Sequence, residues 1–144
     1  MRLISIDEMD ILKNDPVRPH LEKTGPGKQV YVLDDLSAVI CICYCTQVPK
    51  TEEELEQYRD DTGSVVVAYT VWSNKKGAGR DIVNQLLDLV KTKKEISQLV
   101  TLSPLTEMAE RFHIRNGAKL ISKSDTCQNF EYTIKELEIY GVPV

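Results

Sequence analysis

The sequence predicts an α/β domain of the α+β kind, with a sheet flanked by helices. Three observations carry that prediction. Ser64–Trp72 is dense in β-branched and aromatic residues, the composition of a central strand. Asp81–Lys93 changes period: Ile82, Leu86 and Leu89 form one apolar line and Val83, Leu87 and Val90 a second, which together make a broad helical stripe. Gln29–Leu33 and Ser37–Thr46 read as two strands around an Asp34-Asp35 turn, hence a hairpin.

The 144 residues predict one domain, spanning 1–144 and large enough to bury a core without cross-links. Hydrophobic residues make up 42% and charged residues 28%, ordinary for a soluble globular chain. No apolar run approaches the length of a membrane span, and the N-terminus carries no signal-peptide pattern. The expectation is therefore a cytoplasmic protein.

The first element is a short helix carrying Met9, Ile11 and Leu12, opened by Ser5 with Glu8 in a capping box. Asp15-Pro16 should end it, and Pro19 should open a second short helix through Lys23. Thr24–Gly27 is a loop before the hairpin. Cys41, Cys43 and Cys45 alternate along the second hairpin strand and so share one face. Neighbours two apart on a strand are poorly placed for a disulfide, so buried reduced thiols are expected. A zinc site is the weaker alternative, with only His20 and His113 to add imidazole.

Thr51 and Glu54 form another capping box. It opens an acidic helical insertion bearing Glu52, Glu53, Glu54, Glu56, Asp60 and Asp61, which Gly63 should end. After the central strand and its helix, Leu99–Leu102 is a short strand. Ser103-Pro104 then offers a cap and a first-turn proline for a helix that Gly117 stops. Lys119–Ser122 and Asn129–Ile134 are strands around a turn at Ser124–Gln128. The tail from Lys135 reads as one more strand or an irregular cover.

The segment Asn74-Lys75-Lys76-Gly77-Ala78-Gly79-Arg80 joins the central strand to its helix. Two glycines permit close backbone approach, and free amides at a helix start with Lys75, Lys76 and Arg80 nearby make an anion site. It is not a dinucleotide fingerprint, which wants a third glycine. Nor is it a P-loop, which wants Lys and then Ser or Thr after its last glycine. A structural turn with solvated lysines is the plain alternative.

This stretch resembles motif A of the GCN5-related N-acetyltransferases, whose loop follows Gln/Arg-x-x-Gly-x-Gly/Ala. Asn74 to Gly79 fits, with Asn74 in place of Gln or Arg, and Lys75 or Arg80 is near enough in sequence to compensate. The later helix resembles the family's motif B, with Ala109, Phe112, His113, Gly117 and Ala118 on the positions of Ala-x-x-Leu/Phe-Tyr-x-x-x-Gly-Phe. The resemblance is specific over Ser64 to about Ile121 and extends toward Val30. The whole chain is also similar to small acetyltransferase-like proteins of bacteriophages.

The resemblance implies an acyl-CoA N-acyltransferase fold, a mixed and mostly antiparallel sheet of about six to seven strands. It implies transfer of an acetyl group from acetyl-CoA, as co-substrate, to a primary amine, with no metal. Amides from Thr70, Val71 and Trp72 would hold the thioester carbonyl. Lys75, Lys76, Gly77, Ala78, Gly79 and Arg80 would hold the pyrophosphate. The pantetheine arm would run in a slot between Trp72 and Leu102, with Phe112 against it and Thr106 where the family often has a cofactor-binding Asn. His113 stands where the family often has a Tyr that protonates the leaving thiolate, and an imidazole, with its pKa near neutrality, suits that task; a plain helix residue at the edge of the apolar face formed by Leu105, Met108, Ala109 and Phe112 is the alternative. No general base is evident, with Glu107 and Tyr44 as weak candidates.

Charge divides unevenly. Residues 1–63 carry 7 basic and 13 acidic side chains, residues 64–144 carry 11 and 9, and the net charge is −4. The basic half suits a triphosphorylated ligand and the acidic half a cationic amine. An acidic chain without a basic stripe argues against nonspecific nucleic-acid binding. The fold also permits edge pairing into a homodimer. A non-catalytic acyl-CoA-binding module on the same fold is the alternative, and decarboxylation of a malonyl thioester a third reading.

Overall fold

The computed structural model describes residues 1–135; the expected element in the tail beyond Lys135 lies outside them. In chain order the elements are β1 (Arg2–Leu3), a 3-10 helix (Ile6–Asn14), β2 (Lys28–Val32), β3 (Ala38–Cys45), α1 (Glu52–Tyr58), β4 (Val65–Ser73), α2 (Ala78–Lys91), β5 (Gln98–Thr101), β6 (Ser103–Pro104), α3 (Glu107–Arg115), β7 (Lys119–Lys123) and β8 (Cys127–Tyr132). Among the described residues eight strands form one sheet in the order β1-β2-β3-β4-β5-β8-β6, with β7 on the other edge of β8. Only β4 and β5 run parallel, as a strand–helix–strand unit through α2 requires. Two of the eight strands, β1 and β6, are two residues long. That is too short for any periodicity to reveal, hence the excess over six or seven.

Both faces of the sheet are covered. On one side Ile40, Ile42 and Val66 meet Ile82, Leu86 and Val90 of α2 and Phe130 of β8. On the other, Cys41, Cys43, Cys45, Val67 and Tyr69 meet Leu55 of α1, with Ile11 and Leu12 of the 3-10 helix packed beside them. This is why β3 reads as a near-continuous apolar run rather than an alternation. Each fully buried aliphatic side chain here contributes about 1.5–3 kcal/mol. The four cysteines are free, buried thiols, and burial pushes the Cys41 thiol up to about 12.

Several local expectations give way to long-range pairing. Ser103-Pro104 does not open a helix; it pairs with Gln128 and Cys127 as β6. Thr106 is the cap of α3, accepting from the Ala109 amide. No helix forms over Pro19–Lys23. The Lys23 ammonium donates to the carbonyls of Arg18 and Leu21 and fixes this stretch as turns. Gly63 does not end α1, which stops at Tyr58. A Cβ at Gly63 would lie 2.3 Å from the Cys45 carbonyl oxygen, so its role is close backbone approach. The helix after the loop begins at Ala78, one turn earlier than the apolar stripe, because Gly77 at φ 85 serves as its N-cap.

Candidate functional site

The site follows from a bulge and a fork. Along β3–β4 the partners step from Ile42↔Ala68 to Cys41↔Thr70, so Tyr69 is the extra residue. Val65, Val67 and Tyr69 face the cysteine side, and Val66 and Ala68 face α2. Beyond the bulge Val71 faces α2 while Trp72 joins the cysteine side. The parallel pairing of β4 with β5 ends at Ala68↔Thr101, with a last bond from the Leu102 amide to the Ala68 carbonyl at 2.9 Å. Past that point β4 stays with β3 as far as Ser73, whereas the other strand leaves as β6 to pair with β8.

The fork is a cavity of about 360 Å³ walled by Thr70–Ser73 on one strand, Leu102–Pro104 on the other, and Phe112 of α3. Trp72 and Leu102 both line it. The Asn74 amide donates to the Ser37 carbonyl at 3.0 Å, and Trp72 opposes Val39. Alternation along the strand therefore turns the Val71 and Ser73 amides away from β3 and toward the fork. Unpaired backbone donors in an apolar cleft are an oxyanion-binding arrangement.

One end of the fork is closed by Pro16, Val17 and Arg18. The Arg18 guanidinium is buried. Its Nη1 donates to the Leu102 carbonyl at 2.8 Å and to the Tyr69 carbonyl, the two oxygens that separation of the strands leaves without ladder partners. Nη2 reaches Cys127 Sγ at 3.6 Å, and Nε lies 3.5 Å from Glu52. Asp15 anchors the turn. Its Oδ1 accepts from the amides of Val17 and Arg18 and from Thr70 Oγ1 at 3.0 Å. Its Oδ2 lies 3.1 Å from Lys23 Nζ, an ion pair off hydrogen-bond alignment, so that oxygen is otherwise unpartnered. Burial opposes the Asp15 charge, but the Arg18 and Val17 amides and Lys23 outweigh it, and its pKa is lowered.

The other end opens on the loop. Ser73, Asn74, Lys75, Lys76, Gly77, Gly79 and Arg80 line a recess shared with Phe112. Because the N-cap is a glycine, no side chain caps α2, and the Gly79 and Arg80 amides have no partner inside the helix. Ala78 is buried beneath them, its amide donating to the Lys75 carbonyl. Gly79 is also buried, and a Cβ there would meet Phe112 and Ser73 at 3.5 Å. Lys75 lies 3.9 Å from Asp35, a loose surface pair.

His113 lies on α3 at the cavity wall, 5% exposed. Its Nδ1 is 2.8 Å from the Tyr132 hydroxyl, to which Asn116 donates at 3.4 Å. With Asn116 as donor, the hydroxyl proton is free to donate to Nδ1, which places the ring proton on Nε2. Phe130 stacks on the ring at 5.3 Å and Phe112 meets it edge-on at 5.0 Å. Burial pushes the imidazole down to about 4 and the Tyr132 phenol up to about 12. The expected near-neutral pKa of His113 is thus replaced by an uncharged imidazole, because burial among aromatic neighbours, with no carboxylate beside the ring among the described residues, disfavours the charge.

The rest of the α3 surface departs from expectation. Met108 on α3, and Leu105 just before its cap, stay exposed instead of joining a core face, since this helix flanks the open fork. The Thr106 hydroxyl is engaged as the helix cap. Neither Glu107, which pairs with Arg111 at 3.1 Å, nor Tyr44 lines the fork. Arg18, Asp15 and Tyr132 were not picked out from the sequence. The signal for Tyr132 was an aromatic in phase with Phe130 on a predicted strand. Arg18 and Asp15 carried none, since their partners across the fork are 51 to 84 residues away.

No family model matches the chain. No curated protein matches it in sequence. Solved structures do match. GphF, a GNAT-like decarboxylase in complex with isobutyryl-CoA, is 11% identical and aligns over 92% of this chain and 86% of its own at a TM-score of 0.62. The loading GNATL domain of CurA from Lyngbya majuscula is 14% identical over 91% and 85%, with a TM-score of 0.61. An aminoglycoside acetyltransferase in complex with coenzyme A is 15% identical over 90% and 76%, with a TM-score of 0.57. At these identities the likeness is one of fold, and the chain has the fold of the GCN5-related N-acetyltransferases.

Proposed function

We propose that this protein transfers an acetyl group from acetyl-CoA to a primary amine. The observation that carries the reading is the continuity of the β4–β5 fork with the glycine-capped start of α2. A slot walled by apolar side chains takes a pantetheine arm. Free amides and cationic side chains at its outer end, Lys76 to Arg80 with Lys75, take a pyrophosphate.

In this reading the thioester carbonyl lies against the β4 amides of Thr70–Trp72, of which Val71 has the orientation to donate. The amine attacks the carbonyl carbon, the C–S bond breaks, and negative charge passes from oxygen to sulfur. His113 is the proposed catalytic residue. Because it is uncharged, its part is to donate a hydrogen bond to the departing sulfur, with Tyr132 fixing the tautomer. The proton the thiolate finally takes is the one the amine sheds. Phe112 packs against the arm. The acidic residues Glu52, Glu53, Glu54 and Glu56 of α1 are the support for a cationic acceptor.

A second reading is decarboxylation of a malonyl thioester. It is supported by the absence, among the described residues lining the fork, of a carboxylate or charged imidazole to act as base, and by a guanidinium at its acyl end. There the bond between the carboxylate and the α-carbon breaks, its electron pair forms an enolate at the same amides, and the carbon takes a proton.

The test is thiol release from acetyl-CoA against a panel of diamines, amino sugars and peptides, with malonyl-CoA in parallel. Amine-dependent release supports the transferase. Acetyl-CoA formed from malonyl-CoA without amine supports the decarboxylase. Binding without either product leaves a non-catalytic acyl-CoA-binding module.

A further inference from the structure

The fork has fixed sides and one thin end. Along its sides Trp72 lies on β4, and Leu102 belongs to the core on the cysteine side. Thr70 is held as well, its hydroxyl donating to Asp15. The end wall is different. Pro16 and Val17 line the cavity, yet both are exposed and neither belongs to a core cluster. Val17 is 45% exposed, a β-branched apolar side chain on a turn outside the sheet.

The turn that carries this wall is anchored. Asp15 Oδ1 accepts from the Val17 amide at 2.9 Å and from the Arg18 amide at 3.0 Å, and the Asp15 carboxylate is itself tied to Thr70 and Lys23. The next residue, Arg18, is fixed by the carbonyls of Tyr69 and Leu102. With the backbone held on both sides, the room at this end depends on the Val17 side chain. Val71, whose amide faces the thioester carbonyl in the proposed reading, is two residues beyond Tyr69, or about 7 Å along a strand. An acyl chain that starts there meets the Pro16–Val17 turn after a few carbons.

We infer that Val17 sets the length of the acyl chain that the fork accepts, and that the donor is a short-chain acyl-CoA. The inference rests on the reading of the fork as the site of the acyl donor, and it holds for either reaction proposed above. Val17 is a specificity-determining residue: it meets the far end of the acyl chain and moves no proton. A chain that found room would bind more tightly with each methylene it buried. A chain that met an anchored β-branched side chain would have to displace the Asp15 turn, and would bind more weakly. The two cases differ in sign, so chain length decides between them.

The experiment is calorimetric titration of the whole chain with coenzyme A and with its acetyl, butyryl, hexanoyl and octanoyl thioesters, repeated on Val17→Ala and Val17→Trp. Val17 is exposed, and an unchanged circular dichroism spectrum confirms that each variant folds. The quantity read is the affinity for each thioester relative to acetyl-CoA in the same protein. Wild type should bind hexanoyl- and octanoyl-CoA about tenfold or more weakly than acetyl-CoA. In Val17→Ala that ratio should shrink by about fivefold or more, because the chain passes out over the smaller side chain. In Val17→Trp the loss should begin already at butyryl-CoA. Equal or tighter binding of the longer chains by wild type overturns this inference alone and leaves the donor site standing. A Val17→Ala profile that matches wild type does the same. No binding of coenzyme A or of any thioester removes the donor-site reading and this one with it.

Discussion

Arg18 Nη1 donates to the carbonyl oxygen of Leu102 at 2.8 Å and also to the carbonyl oxygen of Tyr69, so one guanidinium joins the two prongs of the fork. Opening a parallel pair exposes carbonyls that would otherwise be unsatisfied in a buried site. A short helix could not reach both. A turn tied down by Asp15 and Lys23 delivers the long side chain instead. Replacing Arg18 by Met keeps the volume and removes the donors. We expect the variant to lose about 2–4 kcal/mol of stability in urea unfolding, since two buried carbonyls and the Glu52 carboxylate lose their partner. Arg18→Lys keeps the charge without the fork geometry and should fall between. A Met variant as stable as wild type would contradict this role.

His113 makes stability depend on pH. Its pKa is lowered from 6.5 to about 4 by burial, so the unfolded chain binds a proton in that window and the folded chain does not. The contribution is fully present above pH 6.5 and is lost as pH falls toward 4, on the order of 3 kcal/mol. The unfolding free energy of wild type should therefore drop more steeply from pH 6.5 to 4 than that of His113→Gln. Parallel curves for the two proteins would refute the buried, uncharged state of the ring.

Tyr132 and His113 should behave as a coupled pair. Tyr132→Phe removes the hydroxyl beside Nδ1 and leaves a buried ring nitrogen without its partner, at a cost of about 1–3 kcal/mol. In the double variant with His113→Gln the two effects should not add, with a coupling of at least about 0.5 kcal/mol. Strict additivity would show that the bond contributes nothing.

Gly63 and Gly77 test different constraints. A Cβ at Gly63 meets the Cys45 backbone at 2.3 Å, so Gly63→Ala forces β3 away from its neighbour and should cost about 3 kcal/mol or more. At Gly77 no atom lies within 4 Å of a Cβ, and only the φ of 85° opposes substitution. Gly77→Ala should cost about 1 kcal/mol. Equal melting shifts for the two would contradict this ordering.

The parts legible in the sequence were those whose signal is local. β4, the Asn74–Arg80 loop and α2 are consecutive, and each shows its period or its glycines within a few residues. The slot between Trp72 and Leu102 followed from the family resemblance. Ser103-Pro104 misled because a good local cap signal was overridden by pairing with Gln128 and Cys127. The closed end of the fork was invisible for a related reason. Arg18 is one arginine in a polar stretch until the fold brings Tyr69 and Leu102 to it. The near-neutral pKa expected of His113 came from the residue type, while its environment is set by Phe130 and Tyr132, 17 and 19 positions further along the chain.

The most direct test of the account is calorimetric titration of the purified protein with acetyl-CoA, with Gly77→Ala and Gly77→Glu measured alongside. The account predicts micromolar binding by wild type, retained within about threefold by Gly77→Ala, since the alanine adds backbone strain but no charge. It predicts at least a tenfold loss in Gly77→Glu, where a carboxylate meets the pyrophosphate. Absence of acetyl-CoA binding by wild type, or a Gly77→Glu variant that binds as tightly, would contradict it.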